Sequence, residues 1–289
     1  MKIVDQSYTI WGPAPIDNRD DAILYLEKGG RICYRSEDKI VPGSGEKFIT
    51  NCFNRNHSSV LEMSNIVFRT SHKVKFPQKI LEYMRCEFDS KYFNFGVAHD
   101  YVYIGGSWRT WIEYYADKGM TIEDVPFNMP ISNDNDFVQV TDINELPPEI
   151  LRIGVCFCTD RAVTHEMVRH RPCSFLQESQ RYVRYMNELI FIKPWWYNSE
   201  KSNVLRFEFD KAMEQAEDHY RYMIRHLGAK AEEARAVLPN ATATKILIMA
   251  DIPEWMHIFN LRTSKAAYAQ YRNLMIDLKA DFIDKGWIV

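Results

Sequence analysis
Residues 169–182 read RHRPCSFLQESQRY, and no other run in the chain restricts its fold so tightly. Arg169, His170 and Arg171 follow the apolar pair Met167 and Val168, and the apolar pair Phe175 and Leu176 comes soon after. Three consecutive cationic or heteroaromatic side chains between such segments must lie at the edge of a core, where anions can neutralise them. The run also offers Ser174, Gln177, Glu178, Ser179 and Arg181, so it can bind a polar ligand through hydrogen bonds as well as charge. As bare basic residues, the same cluster suits a solvated patch or arginine contacts to nucleic acid.

Charge balance weighs against the nucleic-acid reading. Across 289 residues, 36 Lys+Arg are outweighed by 39 Asp+Glu, for a net charge of −3. The basic residues are instead local, with five arginines from Arg161 to Arg184, which favours a small anionic ligand over a long polyanion. Six cysteines (33, 52, 86, 156, 158 and 173) show neither a disulfide framework nor zinc spacing, and Cys156 and Cys158 read as small buried hydrophobes. No apolar signal segment or membrane-length run is apparent, so a cytoplasmic protein with reduced thiols is expected. The helix-like HEMVR around His165 lacks the second histidine of a zinc-protease site, because Arg169 stands there. No metal site is expected.

Periodicity predicts the elements. Ala22, Ile23, Leu26 and Ile32 share one face of a helix over 19–35. A loop from Val41 to Gly45 precedes a short helix ending near His57, and 65–70 alternates as a strand. Gly105 to Trp111 predicts a helix start, and 123–136 an exposed loop. Leu151 to Cys158 reads as a buried strand. Asp160 then caps a helix through about Arg169, aligning Arg161, His165 and Arg169 on one stripe with Glu166 beside Arg169. A long amphipathic helix is predicted from about 204 to 226, and a strand over 242–249. A capping box, Asp251-Ile252-Pro253-Glu254, opens the helix carrying Asn260 and Arg262. A last helix runs from about 266 to 285. With no repeat or linker visible, one α/β (α+β) domain over 1–289 is expected, with a mixed or antiparallel sheet flanked by long helices.

The spacing of Arg169-His170-Arg171, seven residues, then Ser179 and Arg181 resembles the signature of the flavin-dependent thymidylate synthases. Four further segments are similar to that family's motifs, in its order: Gly30 to Ser36, His57 to Glu62, Ala234 to Pro239, and Phe259 to Arg262. Against the compact family pattern, about 77–148 reads as an insertion.

The resemblance implies reductive methylation of dUMP to dTMP, with 5,10-methylenetetrahydrofolate as carbon donor, FAD as hydride carrier and NADPH as reductant. It implies a homotetramer whose sites draw on several subunits. It assigns the nucleotide to Glu166, Arg169, Gln177, Ser179, Arg181, Arg235 and Arg262, with Ser179 and Arg262 catalytic. It assigns the flavin to His57, Ser59, Glu62, Arg169, His170, Arg171, Asp251 and His257. Asp251 and His257 stand where asparagine is common, and Ala266 where many members carry a flavin-contacting histidine. Arginine suits these roles because its planar fork binds phosphate bidentately. Taken singly, Arg235 and Arg262 also read as charges at helix C-termini, and His57 as a capping residue. Cys173 sits at a variable position of the signature and is not expected to be a nucleophile. Two other readings stay open: a flavoprotein of this fold modifying another pyrimidine nucleotide, and a nucleic-acid-binding protein using Arg169 to Arg184.

Overall fold
The computed structural model describes residues 1–16, 18–87, 93–116, 137–200 and 203–289. The loop expected at 123–136 lies outside them. The described strands are β1 (Lys2–Val4), β2 (Ser7–Pro13), β3 (Ile66–Thr70), β4 (Asn94–Ala98), β5 (Tyr101–Gly106), β6 (Phe137–Gln139), β7 (Arg152–Asp160), β8 (Ser174–Gln177), β9 (Ile190–Ile192) and β10 (Ala243–Asp251). The helices are α1 (Arg19–Tyr34), α2 (Ser44–Asn54), α3 (Pro77–Glu87), α4 (Trp108–Ala116), α5 (Arg161–Met167), α6 (Asn203–His226), α7 (Ala231–Ala234), α8 (Ile252–Arg262) and α9 (Ala269–Asp284). Two four-stranded antiparallel sheets result, ordered β2-β7-β10-β8 and β4-β5-β3-β6, and β1 pairs with β9 in parallel.

Strand β10 shows how the core forms. Successive side chains point to opposite faces of a sheet. Leu247 and Met249 therefore enter one cluster with Leu26, Met63 and Leu176, while Ile246, Ile248 and Ala250 enter another with Trp255, Phe259 and Phe282. Both faces are buried, which is why the run reads as continuously apolar. The first cluster also contains Phe68, Ile104 and Trp111, so it joins the two sheets.

Local chemistry sets the helix ends. Asn18 accepts from the Asp20 amide to start α1, and Arg35 ends it in the left-handed region at φ 50. In α5, Asp160 accepts from the Val163 amide at 2.7 Å, as expected. That helix, however, stops at Met167 rather than near Arg169. The amides of Arg169 and His170 reach only three residues back, to Glu166 and Met167, and Pro172 prevents continuation. The predicted stripe of Arg161, His165 and Arg169 therefore does not form.

The described residues of segment 77–148 supply three of the four strands of the second sheet, and β3 supplies the other. Gly105 and Gly106 end β5, so α4 starts at Trp108, inside the expected helix start.

Candidate active site
The signature crosses from the end of α5 into β8, and two sets of predicted residues gather on either side of it. The first set meets α8. Arg262 closes that helix and donates from Nε to Nε2 of His170 at 3.1 Å, while its Nη1 pairs with Glu166 Oε2 at 2.5 Å. Its Nη2 reaches the Glu166 carbonyl at 3.3 Å, and its guanidinium carbon lies 5.1 Å from the centre of the Tyr271 ring. Arg262 is thus a bridge between two elements rather than a free terminal charge.

His170 is buried, and its pKa is pulled down to about 4, chiefly by loss of water and then by the charges of Arg262 and His257. Because Arg262 donates to Nε2, the ring's single proton sits on Nδ1. That Nδ1 faces Glu254 Oε1 at 3.6 Å, and burial raises the Glu254 pKa. The Asp251–Glu254 capping box is therefore only half formed. Asp251 Oδ1 accepts from the Glu254 amide at 2.8 Å, but the Glu254 carboxylate turns toward His170.

Ligand atoms of His170, Glu254 and His257 lie within 4.8 Å of one another. The trio does not make a cation site as it stands. Nε2 is taken by a donor, Nδ1 carries the proton, and the Arg262 guanidinium lies against the same ring.

Beside this network opens a cavity of about 520 Å³. Arg171, Pro172, Cys173 and Ser174 of the signature line it, with Glu62 and Asp251 from the predicted flavin set. Arg152, Asn94, Ser107, Arg109, Thr110 and Glu113 complete the polar lining, and none of them was expected from the sequence as a site residue. Arg152 donates to the carbonyls of Glu62 and Ser64 at 3.1 and 2.9 Å and to Ser174 Oγ at 3.0 Å. Its signal was a lone cation opening an apolar strand. Burial raises the Asp251 pKa, opposed by the Glu254 amide, Arg152 and Asn94.

The second set lies past β8. Gln177 Nε2 donates to Thr164 Oγ1 at 3.0 Å, tying β8 to α5. The Ser179 amide donates to the Cys33 carbonyl at 3.0 Å, and Ser179 Oγ accepts from the Arg181 amide at 3.3 Å. His57 Nδ1 lies 2.6 Å from the Tyr34 hydroxyl, and Tyr34 packs on Tyr182 at 5.5 Å. The resembling segments Gly30 to Ser36 and His57 to Glu62 therefore do meet the signature. Arg181 is exposed, 3.8 Å from Glu232, and Arg235 is exposed at the end of α7. Ser59 and Arg169 are exposed too. Arg161, expected on a cationic stripe, is half buried and donates to the Glu178 carbonyl at 2.8 Å.

The six cysteines are free thiols. Burial pushes Cys33 and Cys156 up to about 12 and raises Cys173 as well, so none of these three is a thiolate near neutral pH.

Residues 144–284 match the family model described as thymidylate synthase complementing protein. The flavin-dependent thymidylate synthase of Geobacter sulfurreducens is 36% identical over 119 residues, covering 41% of this chain and 50% of that protein. Those of Mycobacterium bovis and Mycobacterium tuberculosis are 33% identical over 131 residues, covering 40% and 51%. The chain spans about half the length of the curated relatives it matches. A UMP/dUMP methylase from Streptomyces cacaoi, solved with 5-Br UMP, aligns with TM-score 0.46 and 13% identity over 98% of this chain and 92% of its own. Over residues 144–284 and the stretches these relatives share, the chain is similar to the flavin-dependent thymidylate synthases.

Proposed function
We propose that the protein methylates dUMP reductively to dTMP, using 5,10-methylenetetrahydrofolate as carbon donor, FAD as the bound flavin and NADPH as reductant. The observation that carries this reading is the Arg262–Glu166–His170 network, which joins the signature to α8 beside a cavity reached by Arg171. The donor set fits a flavin: Arg171 brings charge for phosphate, and Asn94, Ser107, Thr110 and Ser174 bring hydroxyl and amide groups for ring and ribityl oxygens. The group itself would supply hydride chemistry that protein side chains lack.

On this reading, Glu62, Arg171, Asp251, His170 and His257 hold the flavin side, with His57 and Ser59 at its edge. Gln177, Ser179, Arg181 and Arg235 take the nucleotide. Arg181 is free to meet a phosphate because its contact to Glu232 is long and exposed. Arg262 and Ser179 are the residues proposed at the reacting base, with Glu166 holding Arg262 and Arg169 shared between the ligands. A homotetramer is proposed, and the exposed Val204, Leu205 and Phe207 at the start of α6 support assembly. No helix among the described residues is long and apolar enough to cross a membrane, and a cytoplasmic setting is proposed from the free thiols.

The test is release of tritium from carbon-5-labelled dUMP, with dTMP formed only when flavin, reductant and folate donor are all present. Turnover of a different pyrimidine nucleotide in place of dUMP would favour the alternative flavoprotein. A colourless protein with steeply salt-dependent DNA or RNA affinity would favour the nucleic-acid reading.

A further inference from the structure
A smaller cavity, of about 190 Å³, opens where three segments meet. Asp5 and Gln6 join β1 to β2, Lys193 to Asn198 follow β9, and Gln270 and Asn273 stand near the start of α9. It shares no lining residue with the cavity beside the signature. The pairing of β1 with β9 brings its walls together. The Lys193 amide extends that ladder to the Val4 carbonyl at 2.8 Å, and Lys193 Nζ reaches Asp5 at 2.9 Å.

Internal hydrogen bonds then use up most of the donors. Gln6 Nε2 donates to the Gln270 carbonyl at 2.7 Å, while Gln6 Oε1 accepts from Thr159 Oγ1 at 3.1 Å. Gln270 Nε2 donates to the Lys193 carbonyl at 2.9 Å. Gln270 is only 1% exposed, and its Oε1 is shielded from solvent with no hydrogen-bond partner among the described residues. The amide cannot flip to relieve this, because oxygen would then face the Lys193 carbonyl. Buried acceptors are nearly always paired, so an orphan in a lining residue calls for a donor from outside the chain.

Size and charge narrow the choice of donor. One water takes up about 30 Å³ and drug-sized ligands roughly 300 Å³ or more, so this cavity suits a single small ring. Trp195, 58% exposed, adds an indole on which such a ring can stack. Asp5 is already neutralised by Lys193, and a cationic ligand would have to break that pair. A ring carbonyl would set oxygen against Gln270 Oε1 and the Lys193 carbonyl. An exocyclic amine supplies the missing N–H without charge.

We propose that this cavity is a nucleobase subsite, where a base bearing an exocyclic amine stacks on Trp195 and donates to Gln270 Oε1. The site is separate from the flavin and dUMP positions proposed above. Calorimetric titration of the full chain with two nucleoside pairs tests it: adenosine against inosine, and cytidine against uridine. Each pair exchanges the exocyclic amine for a carbonyl, and none carries a phosphate. In at least one pair the amine-bearing member should bind about tenfold more tightly, the scale of one hydrogen bond to a buried acceptor. Trp195→Ala removes an exposed ring and should weaken that nucleoside by about tenfold. Gln270→Leu, its folding checked by the melting transition, should bring both members of the pair to equal affinity. No preference for the amine in either pair would overturn the proposal. So would a folded Gln270→Leu protein that keeps the preference, or a Trp195→Ala protein that binds like the parent. Free ribose binding as tightly as the nucleosides would make the cavity a sugar site instead. A parent protein that binds no nucleoside would leave it to water.

Discussion

Arg262 and His170, 92 positions apart in the chain, meet through a hydrogen bond that settles where the imidazole proton lies: the guanidinium donates to Nε2, so Nδ1 keeps the hydrogen. The neutral ring at the centre of the signature is therefore a consequence of packing α8 against α5.

A dependence of stability on pH follows. The His170 pKa is lowered from 6.5 to about 4 in the folded chain, so the unfolded chain binds the extra proton first as pH falls. This contribution is fully present above about pH 6.5 and is lost between there and about pH 4. Urea midpoints across that interval should fall less steeply for His170→Asn than for the parent. Equal slopes would show that His170 is not the group responsible.

Arg262→Ala removes a partly buried ion pair and strands the Glu166 carboxylate. A loss of about 1–3 kcal/mol in folding stability is expected, the scale for a hydrogen bond to a charged group. The same change should move the His170 pKa upward, because a neighbouring positive charge is gone. Imidazole proton shifts followed by NMR during acid titration check this direction. A downward or unchanged value contradicts the network.

Arg181 and Arg171 should separate nucleotide from flavin. Arg181→Ala is expected to weaken dUMP binding by about 1.5–3 kcal/mol while flavin absorbance stays near that of the parent. Arg171→Ala should do the reverse and give pale protein. If both variants lose colour equally with dUMP affinity intact, the division of the signature is wrong.

Cys173→Ser should keep most of its dTMP-forming turnover. The thiol lines the cavity, but burial holds it protonated, and the proposed route needs no thiolate. Single-turnover oxidation of the reduced enzyme with dUMP and the folate donor is the measurement. A folded, flavin-loaded Cys173→Ser protein that makes no dTMP would overturn the proposed chemistry.

Local signals carried far along this chain. The period of Ala22, Ile23, Leu26 and Ile32 became the buried face of α1, and Asp160 capped α5 as its side chain predicts. The motif residues Glu166, His170 and Arg262 came together. Glu254 escaped, because as a capping-box partner it looked committed to a backbone amide rather than to His170. Arg109 escaped because 77–148 read as an insertion, although it helps build a sheet.

The sequence by itself determined the buried face of α1, the long helix α6, the runs of β3, β7 and β10, the Asp160 cap and the cationic signature, because each depends on neighbours a few positions away. Only the tertiary structure decided which charges neutralise which. Pairing β7 with β10 sets Arg152 opposite Asp251, and the second sheet brings Arg109 to Glu62. Those partners lie in distant segments, and a guanidinium's environment depends on which carboxylate, carbonyl or ring the fold places against it.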